Sequence, residues 1–291
     1  MSCDERLSQR FFRFRRCLDQ HVFLWFARPC DNAAAQYLRK EGWVQFVVLA
    51  GGRGSRLGEL SKNQPKPMLP VCGRPVVHRV LDHAVGHGFR DFVVALGYKA
   101  QIVRDYFDGA RDLEHAADAR HADRAPSALP HVLSLDTGAD ASKVERLLAL
   151  EPHLRKETFV LSYCDGLSDI DLNAMLKFHA AHGGLMTVAA VHGRERFGVL
   201  DLDGSRLSGL REKQIDPDRW INGGVFVVEP AVFDLLHAGQ TDWETGAVQE
   251  LIARGQAFAY RHPGWWECVD RPEDLPFVED AFLAATRGAS A

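Results

Sequence analysis

The chain has 291 residues, 46% hydrophobic and 25% charged, with a formal net charge of −4, enough for one large α/β domain or two small ones around a substantial core. That balance lacks the basic excess of a general nucleic-acid or membrane binder, so neither partner is expected. Six scattered cysteines without a C-x-x-C pair argue against a disulfide framework or thiolate metal site and fit a reducing cytoplasm, and no stretch approaches the roughly 20 apolar residues that cross a bilayer.

Residues 1–43 form an N-terminal extension of different character. RFFRFRRCLDQHVFLWFARPC mixes arginines with aromatics and holds no apolar h-region with a small-residue cleavage site. Two readings are open for it: an amphipathic accessory helix, or a misassigned start in the gene. The second has a specific motive. Val44-Gln45 stands where a chain opening directly into FVVLA would carry its initiator, and a GTG codon reads as valine inside a longer frame. On either reading no chemistry is expected of the segment.

From Gln45 the pattern settles. FVVLA (46–50) is a short apolar run bounded by glycine, as in a buried parallel strand. VVHRVLDHAVGHG (76–88) has helix-period apolar positions and a glycine stop. Then come a strand DFVVALG (91–97), a helix KAQIVRDYF (99–107) and an exposed excursion over 108–130. HVLSLD (131–136) reads as a third strand, SKVERLLALEPHL (142–154) as a helix and TFVLSYCD (158–165) as a fourth strand. Asp171 reads as the N-cap of the helix LNAMLKFHAAHG. The alternation predicts an α/β fold with a doubly wound, mostly parallel, Rossmann-like sheet and a site at the strand C-termini. Past residue 185, LMTVAAV, GVLDLD and GVFVVEP are strands joined by short turns, so mixed strands are expected there. Helices AVFDLLHA (231–238) and GAVQELIARG (246–255) follow.

The densest signal is LAGGRGSRLGELSKNQPKPML (49–69). A P-loop needs G-x-x-x-x-G-K-[ST], and no Gly-Lys pair occurs. A dinucleotide fingerprint needs G-x-G-x-x-G, but Gly52 and Gly54 are followed by Leu57, with Gly58 one place late. That disfavours a dehydrogenase. What remains is a loop whose amides can cradle an anion, containing Arg53 and Arg56 and followed by Lys62 and Lys66. The bland reading is a solvated surface loop. The prolines of QPKPMLP speak against it, because they fix Lys66 in an extended, low-entropy segment.

In SYCDGLSDIDL (162–172), Asp165 ends a buried strand at the mouth of the sheet, where it is a turn residue or a ligand. Its candidate partner is Asp270 in WWECVDRPED, because two carboxylates can meet on one hard cation and Mg²⁺ takes one or two carboxylates plus phosphate oxygens. In WINGGVFVVEP (220–230), Asn222 with two glycines lets the backbone approach a polar ligand, and Glu212 and Lys213 just upstream suit sugar hydroxyls and a phosphate. The competing reading of NGG is a tight turn before a strand. The histidine pairs 83/87 and 179/182 have helical spacing without H-E-x-x-H or a Cys/His cluster, so no zinc site is expected. No G-x-S-x-G elbow occurs.

Taken together, LAGG-R-G-S-R-L and PKPML resemble the signature loop of the sugar-phosphate nucleotidylyltransferases, G-G-x-G-[ST]-R-L…KP. DTG (136–138), YCDGLSDIDL (163–172), RFGVLDL (196–202), WINGGVFVVEP, TDWE (241–244) and HPGWWECVDRPED (262–274) resemble the glucose-1-phosphate cytidylyltransferase branch, in the family's order over about 45–280. The resemblance implies a cytoplasmic, Mg²⁺-dependent homo-oligomer that turns an NTP, CTP first, and a sugar 1-phosphate into an NDP-sugar and pyrophosphate. It divides 44–291 into a nucleotide-binding half (44–184) and a mixed-strand, sugar-phosphate-binding half (185–291). By the same analogy Leu49, Gly51, Gly52, Gly54, Ser55 and Arg56 line the nucleotide, and Arg56 and Lys66 are catalytic. Asp165 and Asp270 hold the metal, and Glu212, Lys213, Asn222 and Gly223 hold the sugar phosphate.

The chemistry fits these residue types. The attacking phosphate oxygen is already ionised at neutral pH, so no general base is required. The obstacle is repulsion between polyanions and charge gathering at the α-phosphorus, which fixed cations and backbone amides relieve. Three positions depart from the family pattern. Cys164 stands at a glycine and Gln214 at a proline, and DTGADASKVER lacks the second glycine pair of D-T-G…T-G-G-R. That segment leaves open another base (GTP, dTTP or UTP) or another sugar phosphate, and a catalytically inactive, nucleotide-sugar-binding regulatory homologue is the alternative from a different class.

Overall fold

The computed structural model describes residues 44–118, 131–194, 199–203, 205–211, 215 and 218–288. The chain begins with β1 (Phe46–Leu49), α1 (Glu59–Asn63), β2 (Pro70–Val71), β3 (Arg74–Pro75) and α2 (Val76–Gly86). It continues through β4 (Asp91–Leu96), α3 (Ala100–Asp118), β5 (His131–Asp136), α4 (Lys143–Leu150), β6 (Phe159–Tyr163) and β7 (Gly166–Ser168). Next come α5 (Leu172–His182), β8 (Met186–Val191), β9 (Val199–Asp203), β10 (Arg206–Arg211) and β11 (Ile221–Val228). The last elements are α6 (Val232–His237), α7 (Gln249–Ala253), β12 (Ala257–Arg261), β13 (Trp266–Cys268) and α8 (Leu275–Gly288).

The apolar runs pair into one seven-stranded sheet ordered β12-β8-β11-β6-β1-β4-β5. Every strand runs parallel to β1 except β11, which is antiparallel to both β6 and β8. Continuous apolar sequence in β1 follows from cover on both faces. Phe46 and Val48 enter the core shared with α2, α3, α5 and α8, while Val47 and Leu49 enter the core shared with α4, α6 and α7. The fold is the expected α/β, Rossmann-like one. Strand β1 is flanked by β4 on one side and β6 on the other, so the loops leaving β1 and β6 diverge and open a crevice at their carboxyl ends.

A short ribbon completes that crevice. Strand β13 pairs antiparallel with β7, matching Cys268 to Gly166, and the Val269 amide donates to the Asp165 carbonyl at 2.9 Å. The ribbon therefore carries Asp270 back to Asp165 from a hundred residues away.

Several boundaries differ from expectation. Helix α3 runs to Asp118, so 108–118 are helical where an excursion was expected, and 119–130 lie outside the described residues, as does the extension 1–43. Asn222 and Gly223 lie inside β11, not in a turn before it, and the β8 register shifts between Asn222 and Phe226. Asp171 caps α5 as expected, accepting from the Ala174 amide at 2.9 Å. No helix among the described residues is long and apolar enough to cross a membrane.

The His83–His87 pair of α2 is structural. The rings meet edge to face with centroids 4.7 Å apart, and the enclosed Nε2 of His83 has no hydrogen-bond partner among the described residues. Burial, then His87, pulls the His83 pKa down to about 3. A folded value below the unfolded one means that the unfolded chain binds the proton first as pH falls. Stability from neutral His83 is therefore present above about pH 6.5 and is lost as pH falls from there toward 3, by about 1–2 kcal/mol after allowance for partial exposure. His83→Leu is expected to flatten the fall in Tm between pH 7 and 4; an unchanged slope would assign the acid sensitivity to other groups.

Candidate active site

The loop after β1 is tied to its neighbours by backbone hydrogen bonds. The Ala50 amide donates to Ala95 at 2.9 Å and the Tyr98 amide to Gly51 at 3.0 Å. Gly54 takes φ +61°, and a β-carbon there would lie 3.1 Å from both Leu57 and Lys66, so glycine is required by conformation and by space. Ser55–Leu57 then form one 3-10 turn that anchors Leu57 in the core and leaves Ser55 and Arg56 exposed. Gly52 is exposed, with open space beside it, whereas Leu49 and Gly51 are buried. Two cations left in doubt by sequence are bound elsewhere: Arg53 pairs with Asp140 at 2.6 Å and Lys62 with Glu59 at 2.5 Å.

Proline on both sides of Lys66 sets up a 3-10 turn, Lys66–Met68, where an extended segment was expected, and its first carbonyl accepts from Leu69 at 3.1 Å. Only 9% of Lys66 is exposed. Its Nζ lies 2.8 Å from Asp165 Oδ2 and 3.5 Å from Asp270 Oδ1, and Arg56 Nη1 closes on the other Asp270 oxygen at 2.5 Å. The structure thus brings Arg56, Lys66, Asp165 and Asp270 into one alternating cluster at the mouth of β6. Burial alone would pull the Lys66 ammonium down, but Asp165, Cys268 and Cys164 together outweigh it and the pKa lies above that of an ordinary lysine. Burial alone would raise the Asp270 carboxyl, and Lys66, then Arg56, hold it below the usual range. Both groups are ionised through the neutral range.

Beyond β6, the other side of the crevice is shaped by β11. Asn222 Oδ1 accepts from the Gly224 amide at 2.8 Å, and the Gly223 carbonyl accepts from Trp266 Nε1 at 2.9 Å. A β-carbon on Gly223 would strike Val191 at 2.8 Å. The Tyr163 hydroxyl donates to Glu244 at 2.6 Å, while Lys143 pairs with the same carboxylate and lies 4.4 Å over the Tyr163 ring. Glu212, Lys213 and Gln214 lie outside the described residues. Cys164 is buried without positive φ, so its place at a family glycine costs no backbone strain.

Tyr163, Lys143, Glu244 and the buried Arg146 are site-wall residues that the sequence reading did not single out. Glu244 was visible only as part of TDWE, and Ser142-x-x-Glu145 carried a readable helix start. Ser142 and Glu145 form a capping box, with the Glu145 amide donating to Ser142 Oγ at 3.2 Å.

A glycine-rich loop, a buried lysine and two carboxylates thus gather at the carboxyl edge of a doubly wound sheet, where α/β folds take their ligands. The chain belongs to the family described as Nucleotidyl transferase, whose profile matches residues 45–281. It is 33% identical to glucose-1-phosphate cytidylyltransferase of Salmonella typhi over 245 residues, covering 81% of this chain and 95% of that one. It is 30% identical to the probable glucose-1-phosphate cytidylyltransferase of Bacillus subtilis, covering 80% and 93%. The fold is shared with UTP-bound UGPase from Acinetobacter baumannii, at a TM-score of 0.65 and 18% identity over 83% of this chain and 93% of that one.

Proposed function

We propose that the chain transfers a nucleotidyl group from an NTP, CTP first, to a sugar 1-phosphate, glucose 1-phosphate first. An oxygen of the sugar phosphate forms a bond to the α-phosphorus as the bond from that phosphorus to the α,β-bridging oxygen breaks, and this oxygen leaves with pyrophosphate. The observation that carries this reading is the convergence of Lys66 Nζ on Asp165 and Asp270, opposite the glycine-rich loop.

In this proposal the exposed Gly52–Arg56 backbone and Gly54 receive the triphosphate, with Leu49 and Ser55 beside it, and Arg56 meets the departing pyrophosphate. Lys66 holds the phosphates at the reacting centre. Asn222 and Gly223, with Glu212 and Lys213, take the sugar phosphate. Asp165 and Asp270 already turn one oxygen each toward a single cation, the Lys66 ammonium, and such a pair of hard donors fits Mg²⁺. When bound there with phosphate oxygens, Mg²⁺ would supply charge neutralisation on the phosphates. The Lys66 ammonium is long enough and flexible enough at its stem to leave the carboxylates for a phosphate oxygen. A cytoplasmic homo-oligomer completes the proposal.

The test is pyrophosphate release over a matrix of CTP, UTP, GTP, dTTP and ATP against several sugar 1-phosphates. CTP with glucose 1-phosphate is expected to give the highest kcat/KM, by about tenfold or more. A different best pair would overturn the choice of base or sugar, and nucleotide binding with no turnover for any pair would favour the regulatory homologue.

A further inference from the structure

Arg146 sits under the site with 4% of its surface exposed, yet it pairs with no carboxylate among the described residues. Nη1 donates to Leu96 O at 3.0 Å, Thr137 Oγ1 at 2.6 Å and Gly138 O at 2.8 Å, and Nη2 donates to Gly51 O at 3.0 Å. These acceptors lie at the end of β4 and on the loops that leave β1 and β5, three separate segments at the carboxyl edge of the sheet. All four are neutral oxygens. Asp136, Glu145 and Asp140 act on the guanidinium only at longer range, and burial outweighs them, lowering its pKa from the ordinary arginine value. A buried cation is costly where no anion compensates it. This one lies beneath the first glycine of the loop proposed to hold the triphosphate.

The packing around it is equally specific. A β-carbon on Gly51 would fall 2.2 Å from Nη1, and one on Gly97 would fall 2.5 Å from the same atom. Gly51 is therefore bare to admit the guanidinium from below. That gives Gly51 a second reason to be glycine, beside its expected place lining the nucleotide with the exposed Gly52.

We propose that Arg146 is a positioning residue for the nucleotide: it locks the three segments in one register and places a fixed positive charge behind the Gly51–Gly52 backbone, where a triphosphate compensates it. This rests on the NTP site proposed above. A planar fork suits the task, since one compact ammonium cannot reach three segments in the same geometry. A merely structural brace would affect stability and both substrates alike, whereas a positioning residue for the triphosphate acts on the NTP alone.

The experiment is steady-state pyrophosphate release by the full chain, with KM measured separately for CTP and glucose 1-phosphate and with Tm for each variant. Arg146→Met is expected to raise KM for CTP about tenfold, as loss of charged hydrogen bonds implies, with KM for the sugar phosphate within about twofold. Gly51→Ala should displace the guanidinium and give the same pattern. In the double variant the clash is gone, so KM for CTP should be no worse than in Arg146→Met alone. If Arg146→Met does not fold, Arg146→Lys decides: KM for CTP should still rise about threefold or more with the sugar phosphate unaffected. A folded variant with unchanged KM for CTP, or with both KM values raised together, overturns the proposal. Absence of turnover in the unaltered chain with any NTP would instead overturn the functional reading beneath it.

Discussion

Lys66→Met is expected to lower kcat for pyrophosphate release by roughly 10²–10³-fold, the scale of one lost charge-stabilising donor. The side chain is buried, its backbone is fixed by flanking prolines, and its ammonium is the centre of the site's ion cluster. Methionine keeps the length and the apolar stem, so the core contacts survive while the charge is lost. The same substitution leaves Asp165 without its nearest cation and takes one cation from Asp270, which keeps Arg56. Breaking such a pair should destabilise the ligand-free chain by about 1–3 kcal/mol, less than a fully buried pair because the carboxylates reach solvent. A divalent cation should restore part of that loss. Thermal melts with and without Mg²⁺ therefore check the assignment apart from turnover: the variant should gain more from Mg²⁺ than the unaltered chain does. Equal gains would detach Lys66 from the proposed metal site.

Asp165→Asn should be nearly as severe, again roughly 10²–10³-fold in kcat, with the loss falling on metal dependence. Asparagine keeps the shape and leaves in place the backbone bond through which the Asp165 carbonyl receives Val269, so the ribbon that delivers Asp270 should persist. Lys66 then loses the carboxylate that chiefly raises its pKa, and burial pulls the ammonium down, opposed by Cys268 and Cys164 and with Asp270 at 3.5 Å. Titrating Mg²⁺ against rate should show a raised half-saturating concentration as well as a lower maximum. Turnover close to that of the unaltered chain would remove Asp165 from the site.

The parts of this architecture readable from sequence are those fixed by local chemistry. FVVLA, DFVVALG and HVLSLD are apolar runs of strand length, and Asp171 before LNAMLK is a cap by its hydrogen-bonding geometry. Asp165 was legible as a candidate because it ends a strand-like run at the mouth of the sheet, and Asp270 as a carboxylate able to share its cation. Their meeting depends on pairing between β7 and β13, two three-residue strands too short to carry a periodic signal. Arg146 was legible only as the arginine that ends DTGADASKVER, and its inward turn was not. In ERLLAL it looks like a solvated arginine on an amphipathic helix, and only the space left by Gly51 and Gly97 in two distant loops lets it turn inward. Asn222-Gly223 read as a turn because a strand with an irregular register and two glycines carries the same local signal. Helix α3 ran past its expected end because Gly109, a weak breaker, is followed by residues of ordinary helix propensity.

Metal-assisted nucleotidyl transfer at the Lys66–Asp165–Asp270 cluster is tested most directly by measuring both products. CTP and glucose 1-phosphate are supplied to the full chain with Mg²⁺ and, separately, with excess EDTA, and pyrophosphate and nucleotide-sugar are quantified together. Equal amounts of the two products, abolished by EDTA and reduced to about 1% or less in Asp165→Asn, are the expected result. Product formation indifferent to EDTA and to that substitution would contradict it.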